Sequence, residues 1–392
     1  MLRVLTLATL FPDAARPNFG VFVERQTLGL AARDGVTVQV VAPRGLPPFP
    51  LDRMAIYRTL AAQPARERWK DVTVHRPRFL NLPGTHGRWH AAMLVRALIP
   101  VLNGIRRDFP FDVIDAEFFF PDGPAAVALG RHFGVPVSIK ARGADIHHWG
   151  TAPATADQVI AAGRAAHGLL AVSDAMADDM AALGIPRPAV HRTGIDRALF
   201  HPRDRTGGKA ALGIAGPLVV SIGALIPRKG HDLVIDAVAA LPGVTLLIAG
   251  QGPEQAALQA RIDTLGAADR IRLLGPLPHA DLPPLIAAAD VMALASASEG
   301  LANAWVEALA CGTPIVIPDA GGAREVVDRP AAGRIVDRSA PAIAAGIAAL
   351  LANPPATADV VAAADPFSWD RNAAELHAHL AALARNAIGR LT

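Results

Sequence analysis

The sequence predicts an α/β protein made of two doubly wound parallel sheets, and three observations carry that prediction. At 392 residues the chain exceeds the ~250–300 residues at which a single core stops growing. Short β-branched runs alternate along it with helix-like stretches, the pattern of parallel strands joined by crossover helices. A polar break at residues 196–209, containing Pro202 and Gly207-Gly208, divides that alternation into two series of similar length.

In the first series the strand candidates are residues 4–8, 36–42, 72–76, 112–116, 135–139 and 169–172. Helical stretches fall between them at 21–33, 89–107, 124–133 and 174–183. Residues 43–71, rich in proline and arginine, read as an excursion from the sheet. The second series has strands at 218–222, 244–249, 271–274, 291–294, 314–317 and 334–336, and the chain closes in a helical stretch from about residue 368. No repeat of 20–50 residues signals a solenoid. The expected domains are 1–195, 196–367 and a C-terminal helix, 368–392, packing back on the first. Ligands of such sheets bind outside the carboxyl ends of the strands, so a cleft collecting loops from both domains is the expected site.

Composition narrows the class. Hydrophobic residues make up 52% and charged residues 19%, enough apolar surface for a sizeable core and too much for global disorder. The single cysteine, Cys311, excludes an internal disulfide and fits a reducing cytosol. The charge-free stretch 339–358 is mostly Ala and Gly and is broken by Pro354-Pro355, so it is a poor bilayer helix. The start, MLRVLTLATLFPD, reads as a buried strand rather than a signal peptide. Residues 1–195 hold 22 Lys+Arg against 16 Asp+Glu, a balance of +6, and the remainder 16 against 19, giving the chain's +3. A basic first half points to an anionic contact, a phospholipid surface or a phosphorylated acceptor, or is ordinary charge asymmetry. With 5% aromatics and no basic cluster interleaved with them, nucleic acid is not expected as a partner.

The richest segment for chemistry is SASEGLANAWVEALACGTPIVIPDAGGAREVV, residues 296–327. Glu299 follows a strand, and Glu307 projects from the second turn of a helix starting near Asn303. The amides of Gly300, Leu301 and Ala302 would form an anion site at that helix start. A carboxylate accepting two hydrogen bonds from a cis-diol suits a ribose or a hexopyranose. In VVSIGALIPRKGHDLVIDAV, residues 219–238, Arg228 and Lys229 stand at a strand's end, where cations can neutralise a departing phosphate. Gly250-x-Gly252 opens a helix like a dinucleotide fingerprint, but Gln255 occupies the third glycine position. Gly20 precedes the first helix and could bring amides to a phosphate. Each has a plainer alternative: surface glutamates on an amphipathic helix, a solvated basic turn, a tight turn, a turn glycine.

Other features carry no chemistry. There is no Asp-x-Asp to hold a metal against a nucleotide sugar. His147 and His148 are adjacent and so point apart. Asp178-Asp179 reads as a solvated helix face, Cys311 as buried packing, and Ser173 as a helix N-cap.

Together these segments resemble glycosyltransferase family 4, the retaining enzymes of the GT-B fold, over nearly the whole chain and most of all its bacterial polysaccharide-type members. The resemblance rests on an ordered set: FP…P-x-x-G-x-F near the start, VSDAMADDMAALGIP, then TGID and LFHP before the linker, GALIPRKG, IAGQGP, and E-x7-E running into EALACGTPIVIPDAGGAREVV. It implies that Glu307 holds the donor ribose and that Glu299 contacts sugar hydroxyls near the reacting carbon. Lys229, with Arg228, would bind the diphosphate, joined by the amides of Gly300 and Leu301. It further implies no metal, no cofactor, and retention by same-face attack in which the departing phosphate takes the acceptor's proton.

The chain departs from that pattern at three places. Ala224 stands where many members have arginine after the glycine of GALIPRKG, and Arg228 is the candidate substitute. Asp112-Val-Ile-Asp-Ala-Glu117 replaces a D-V-x-H-x-H pattern, and Arg142-Gly143-Ala144-Asp145 replaces His-Gly-x-Asp. These last two lie in the acceptor-binding domain, which makes Glu117, Arg142 and Asp145 the acceptor-side candidates.

The leading expectation is hexosyl transfer from a UDP- or GDP-sugar to a lipid-linked or polysaccharide acceptor. A nucleotide-sugar epimerase of the same architecture and a non-catalytic nucleotide-sugar sensor are the alternatives. The expected location is cytoplasmic, peripheral to the inner face of the membrane. The apolar stretch 88–99, ringed by Arg88, Arg96, Arg106 and Arg107, is the candidate interfacial helix, or an ordinary half-buried one.

Overall fold

The computed structural model describes residues 1–17 and 19–388; residues 389–392 of the expected C-terminal segment lie outside them. The described residues divide into two compact units, Met1–Gly194 together with the chain from Trp369, and Ile195–Ser368.

The first unit is built on β1 (Leu2–Leu7), β2 (Val36–Val41), β3 (Arg44–Leu46), β4 (Arg66–Trp69), β5 (Val72–His75), β6 (Arg78–Leu80), β7 (Val113–Ala116), β8 (Val137–Ala141), β9 (Gly168–Ala171) and β10 (Ala189–Val190). Its main sheet runs β10-β9-β8-β7-β1-β2-β5-β4, parallel except where β4 meets β5, and β3 pairs with β6 in a small separate ribbon. Every residue of β7 and β8 is buried, as central strands covered on both faces must be, although Asp115, Ser138 and Lys140 interrupt their apolar runs. Alternation along β1 feeds two cores. Leu5 and Leu7 face the helices His90–Asp108 and Asp122–Phe133, while Val4 meets Leu376 and Leu380 of the final helix Trp369–Ile388 on the opposite side.

Two expectations change here. The excursion at 43–71 carries structure of its own: β3, a 3-10 turn Leu51–Arg53, the helix Ala55–Ala62 and β4. Its charged alternation Arg66-Glu-Arg-Trp69 hid an edge strand, since edges tolerate charge that central strands do not. The stretch expected as an interfacial helix begins the helix His90–Asp108, which turns Ala91, Leu94, Leu98, Leu102 and Ile105 into the core. That apolar stripe is spent on packing.

The second unit has β11 (Leu218–Ile222), β12 (Thr245–Ala249), β13 (Ile271–Gly275), β14 (Val291–Ala293), β15 (Ile315–Pro318) and β16 (Gly333–Val336), all parallel in the order β13-β12-β11-β14-β15-β16. The order reverses between β11 and β14, so the loops leaving those two strands flank the switch point. The break expected as linker contains a helix, Arg205–Ala211, capped by Asp204, which accepts from the Gly207 N–H at 3.1 Å. Gly208 lets this helix approach Ala288, where a Cβ would come within 2.9 Å. Residues 339–358 form a helix, Ala340–Ala352, that stops before Pro354-Pro355. Among the described residues no helix is long and apolar enough to cross a membrane.

Candidate functional site

The site is assembled where the loops after β11 and β14 are stitched together. A 3-10 turn, Pro227–Lys229, ends at Gly230, whose φ of 65° avoids the penalty a side chain would meet there. A Cβ on Gly230 would stand 2.3 Å from the Ala295 carbonyl oxygen. The Ala297 N–H donates to the Arg228 carbonyl at 2.8 Å. This register brings Lys229 and Arg228 onto one carboxylate. Lys229 Nζ donates to Glu299 Oε1, and Arg228 Nη1 lies 3.4 Å from Glu299 Oε2 while also donating to the Ser298 carbonyl. Glu299 and Lys229 are nearly covered, with side chains 9% and 14% exposed.

The peptide after Glu299 is held from the far side. Gly322 N–H donates to the Gly300 carbonyl at 2.8 Å, and a Cβ on Gly321 would sit 2.0 Å from the Glu299 carbonyl oxygen. The sequence displays this glycine pair in DAGG, but its job becomes visible only against Glu299. Gly300, Leu301 and Ala302 are buried and lead into the helix Asn303–Ala310, with Ala302 as its N-cap. Glu307 occupies the second turn, 7% exposed. His279 Nε2 lies 2.8 Å from Glu307 Oε1, and its ring packs on Phe200 at 5.1 Å between centroids. Sequence reasoning missed His279. It is a lone histidine in a polar turn, 28 residues from its carboxylate, and no local spacing marks it.

Gly250 and Gly252 have a backbone reason. The Leu225 N–H donates to the Gln251 carbonyl at 2.9 Å, and the Glu254 N–H to the Leu225 carbonyl at 3.0 Å. At that separation a Cβ on Gly250 would stand 1.8 Å from the Gly223 oxygen and one on Gly252 2.3 Å from the Leu225 oxygen. Both glycines therefore shape the loop that presents Arg228 and Lys229. Because the clash is with main chain, Gly250→Ala should cost about 3 kcal/mol, a fall of roughly 10 °C in melting temperature. An unchanged melt would overturn this account of the glycine.

His231 anchors the same loop. Its ring is 2% exposed, with Nδ1 3.0 Å from Ser221 Oγ. Burial, aided by the Lys229 charge, pushes its pKa down to about 4, below the ~6.5 of an unfolded chain. Between those two values the unfolded state binds the additional proton, so stability falls as pH drops from ~6.5 to ~4, by about 3 kcal/mol at this group. His231→Gln should flatten that part of the stability–pH curve in denaturant titrations, and an unchanged slope would refute the assignment.

The acceptor-side candidates cluster in the first unit. Arg142 Nη2 is paired with Glu117 Oε2, and Arg142 Nε donates to the Glu117 carbonyl at 2.7 Å. Gln26 donates to the other Glu117 oxygen. Asp145 is fully buried and accepts from the N–H groups of Phe119, Arg142 and Gly143 at 2.7–3.0 Å. Its carboxylate is thus a loop organiser, and Glu117, 1% exposed, is saturated by its own unit. The oxygens of both are engaged by groups of their own unit. Beneath them lies a polar network that the sequence left unmarked. Buried Lys140 donates to Gln26 Oε1 at 2.7 Å and lies 2.9 Å from His191 Nδ1. Burial, with Arg142 nearby, drives the Lys140 pKa well down, and burial with Glu117 drives that of Asp115 well up. Gly20, φ 74°, is packed so that a Cβ would meet the Leu10 oxygen at 2.5 Å.

The remaining features have structural partners. His147 binds Asp179 at 2.8 Å and Arg187 binds Asp178 at 2.8 Å. Ser173 caps its helix by accepting from the Met176 N–H at 3.1 Å. Cys311 is buried, which pushes its thiol up to about 12.

Two family models match the chain, a Glycosyl transferase 4-like domain over residues 19–194 and Glycosyl transferases group 1 over residues 209–365. The chain is 35% identical over 195 residues to a D-inositol 3-phosphate glycosyltransferase of Segniliparus rotundus, covering 46% of this chain and 43% of that protein. It is 40% identical over 137 residues to a protein of the same name from Mycobacterium bovis, covering 33% and 28%. The aligned part spans less than half the length of either relative. Among solved structures, a sucrose-phosphate synthase from Thermosynechococcus elongatus superposes with a TM-score of 0.75 at 19% identity, over 100% of this chain and 98% of that one. Anabaena HepE in complex with UDP gives 0.73 at 21%, over 97% and 100%, and its complex with UDP-glucose 0.65 at 22%, over 100% and 99%. These likenesses show the GT-B fold.

Proposed function

The chain belongs to the family-4 type of glycosyltransferases, and from that premise we propose that it moves a hexosyl group from a UDP- or GDP-sugar to a lipid-linked or polysaccharide acceptor with retention of configuration. The observation that carries this reading is the convergence of Lys229 and Arg228 on Glu299 across the switch point of the second unit. A diphosphate arriving there competes for the two cations. As they turn to it, the Glu299 oxygens become acceptors for sugar hydroxyls. Charge growing on the departing phosphate then meets the two cations already on it, which is electrostatic stabilisation where it lowers the barrier. Glu307, oriented by His279, receives the ribose diol. Attack comes from the face the diphosphate leaves: the acceptor oxygen bonds to the anomeric carbon, the bond to phosphate oxygen breaks, and that oxygen takes the acceptor's proton.

HepE was solved with UDP and UDP-glucose, which makes UDP-glucose the first donor to test. A phosphorylated cyclic polyol joins the acceptor panel because of the relatives named for inositol 3-phosphate. A thermal-shift series of UDP-, GDP- and ADP-sugars tests the donor: at a hundred times the dissociation constant a ligand adds about 2.7 kcal/mol. A shift with none of them would sink the reading. With the diphosphate neutralised by side chains, transfer should continue undiminished in excess chelator; loss of rate restored by a divalent cation would overturn the metal-free mechanism.

A further inference from the structure

We propose that the first unit docks on an anionic bilayer surface through the knuckle at residues 47–62 and the cations around it. Four large apolar side chains stand in the open within eight consecutive residues: Phe49 at 70% exposure, Leu51 at 42%, Met54 at 49% and Ile56 at 73%. Leu80 and Trp89, on the strand and turn that follow, are 40% and 49% exposed. A soluble surface scatters such residues; a run of them marks an interaction site. The helix Ala55–Ala62 buries no side chain completely. Its carboxyl end is nonetheless fixed, because Arg44 Nη1 donates to the Leu60 and Gln63 carbonyls at 3.0 and 2.6 Å and Arg78 Nη2 to that of Ala61 at 2.5 Å. The knuckle is thus tied down at one end and bare at the other.

Charge selects the occupant. Residues 47–90 contain eight Lys+Arg and three Asp+Glu, a balance of +5 within a chain of net +3. Arg53, Arg58, Arg66, Arg68 and Arg88 are exposed, and none of them forms an ion pair among the described residues. Arg53 instead lies 4.8 Å over the Phe49 ring. Apolar and aromatic side chains flanked by arginines are what an interfacial element presents to lipid headgroups. A second copy would set like charge against like charge across a twofold contact. The helix His90–Asp108 takes no part, its apolar face being buried. If the acceptor is lipid-linked, as the proposed function has it, this docking holds the enzyme at the surface that displays the acceptor.

The test is co-sedimentation of the full chain with phosphatidylcholine vesicles, with and without phosphatidylglycerol. The wild type should partition onto the anionic vesicles only, and release at about 0.5 M salt, where the Debye length falls below roughly 5 Å. Removing one basic residue near the surface weakens binding about fivefold, so Arg53→Ser/Arg58→Ser should lose about 30-fold. Phe49→Ser/Ile56→Ser should lose tenfold or more. These side chains are exposed, so both variants should keep the wild-type melt and donor-induced thermal shift. Absent donor response would then indict the proposed function and leave the docking result standing. Three outcomes would overturn the docking: no wild-type binding to anionic vesicles at low salt, variants that bind as well as wild type, or a wild-type dimer in sedimentation velocity that the Phe49/Ile56 variant dissolves.

Discussion

Replacing Glu307 with alanine should raise the dissociation constant for the donor about 100-fold while leaving the fold intact. A carboxylate accepting from both hydroxyls of a cis-diol makes charge-assisted hydrogen bonds, each worth about 1.5–3 kcal/mol, and every 1.4 kcal/mol is tenfold. Non-additivity and the water that fills the truncated site hold the net near the lower end of the sum. Glu307→Gln keeps the shape and one acceptor oxygen and should lose only about tenfold. His279→Ala leaves the carboxylate in place without the partner 2.8 Å from its Oε1. Its cost is the freedom the Glu307 side chain regains, about threefold in affinity. Calorimetry with UDP and a UDP-sugar reads all three, and donor affinity unchanged in Glu307→Ala would remove the ribose from this residue.

The second large effect is on the chemical step. Lys229→Met should lower kcat at saturating donor about 1,000-fold, the loss typical of removing one preorganised charge partner of a transition state. Arg228→Met should lower it about tenfold, because this side chain is 41% exposed and works through solvent. Stability must be separated from rate, since Lys229 also neutralises a carboxylate that is 9% exposed. Leaving that charge with Arg228 alone should destabilise the single variant. The double variant Lys229→Met/Glu299→Gln removes both charges and should recover the melt without recovering kcat. A kcat restored together with stability would mean that the lysine serves the fold and not the leaving group.

Most of the strands were legible as sequence. β11, expected at 218–222, spans Leu218–Ile222, and the loop residues Arg228, Lys229 and Glu299 follow β-strands where their glycines place them. Regions that misled had weak local signals. The helix Arg205–Ala211 was hidden by Gly207-Gly208, which in isolation destabilise a helix; here Asp204 caps it and the absence of Cβ atoms permits close packing. Acidic and basic residues beside the fourth and fifth expected strands looked available for an acceptor. Only burial revealed Glu117 and Asp145 as partners of their own loops. Of the two readings of residues 88–99 the structure has the half-buried helix; the sequence could not choose, because an amphipathic period is the same whether its apolar face meets a core or a lipid. Exposure separates the two cases, and it moved the candidate surface to Phe49–Ile56.

By itself the sequence determined the α/β class, the division into two series, and which short segments hold carboxylates and cations next to glycine turns. All of that is local: periodicity, turn chemistry and composition act over a few residues. Only the tertiary structure decided which of those segments meet. Lys229 and Glu299 are 70 residues apart and touch because β14, fourth strand of its series in the chain, inserts beside β11. A strand buried on both faces reads as the same apolar run whichever neighbour it takes, so its partner is chosen by crossover handedness and packing rather than by its own residues.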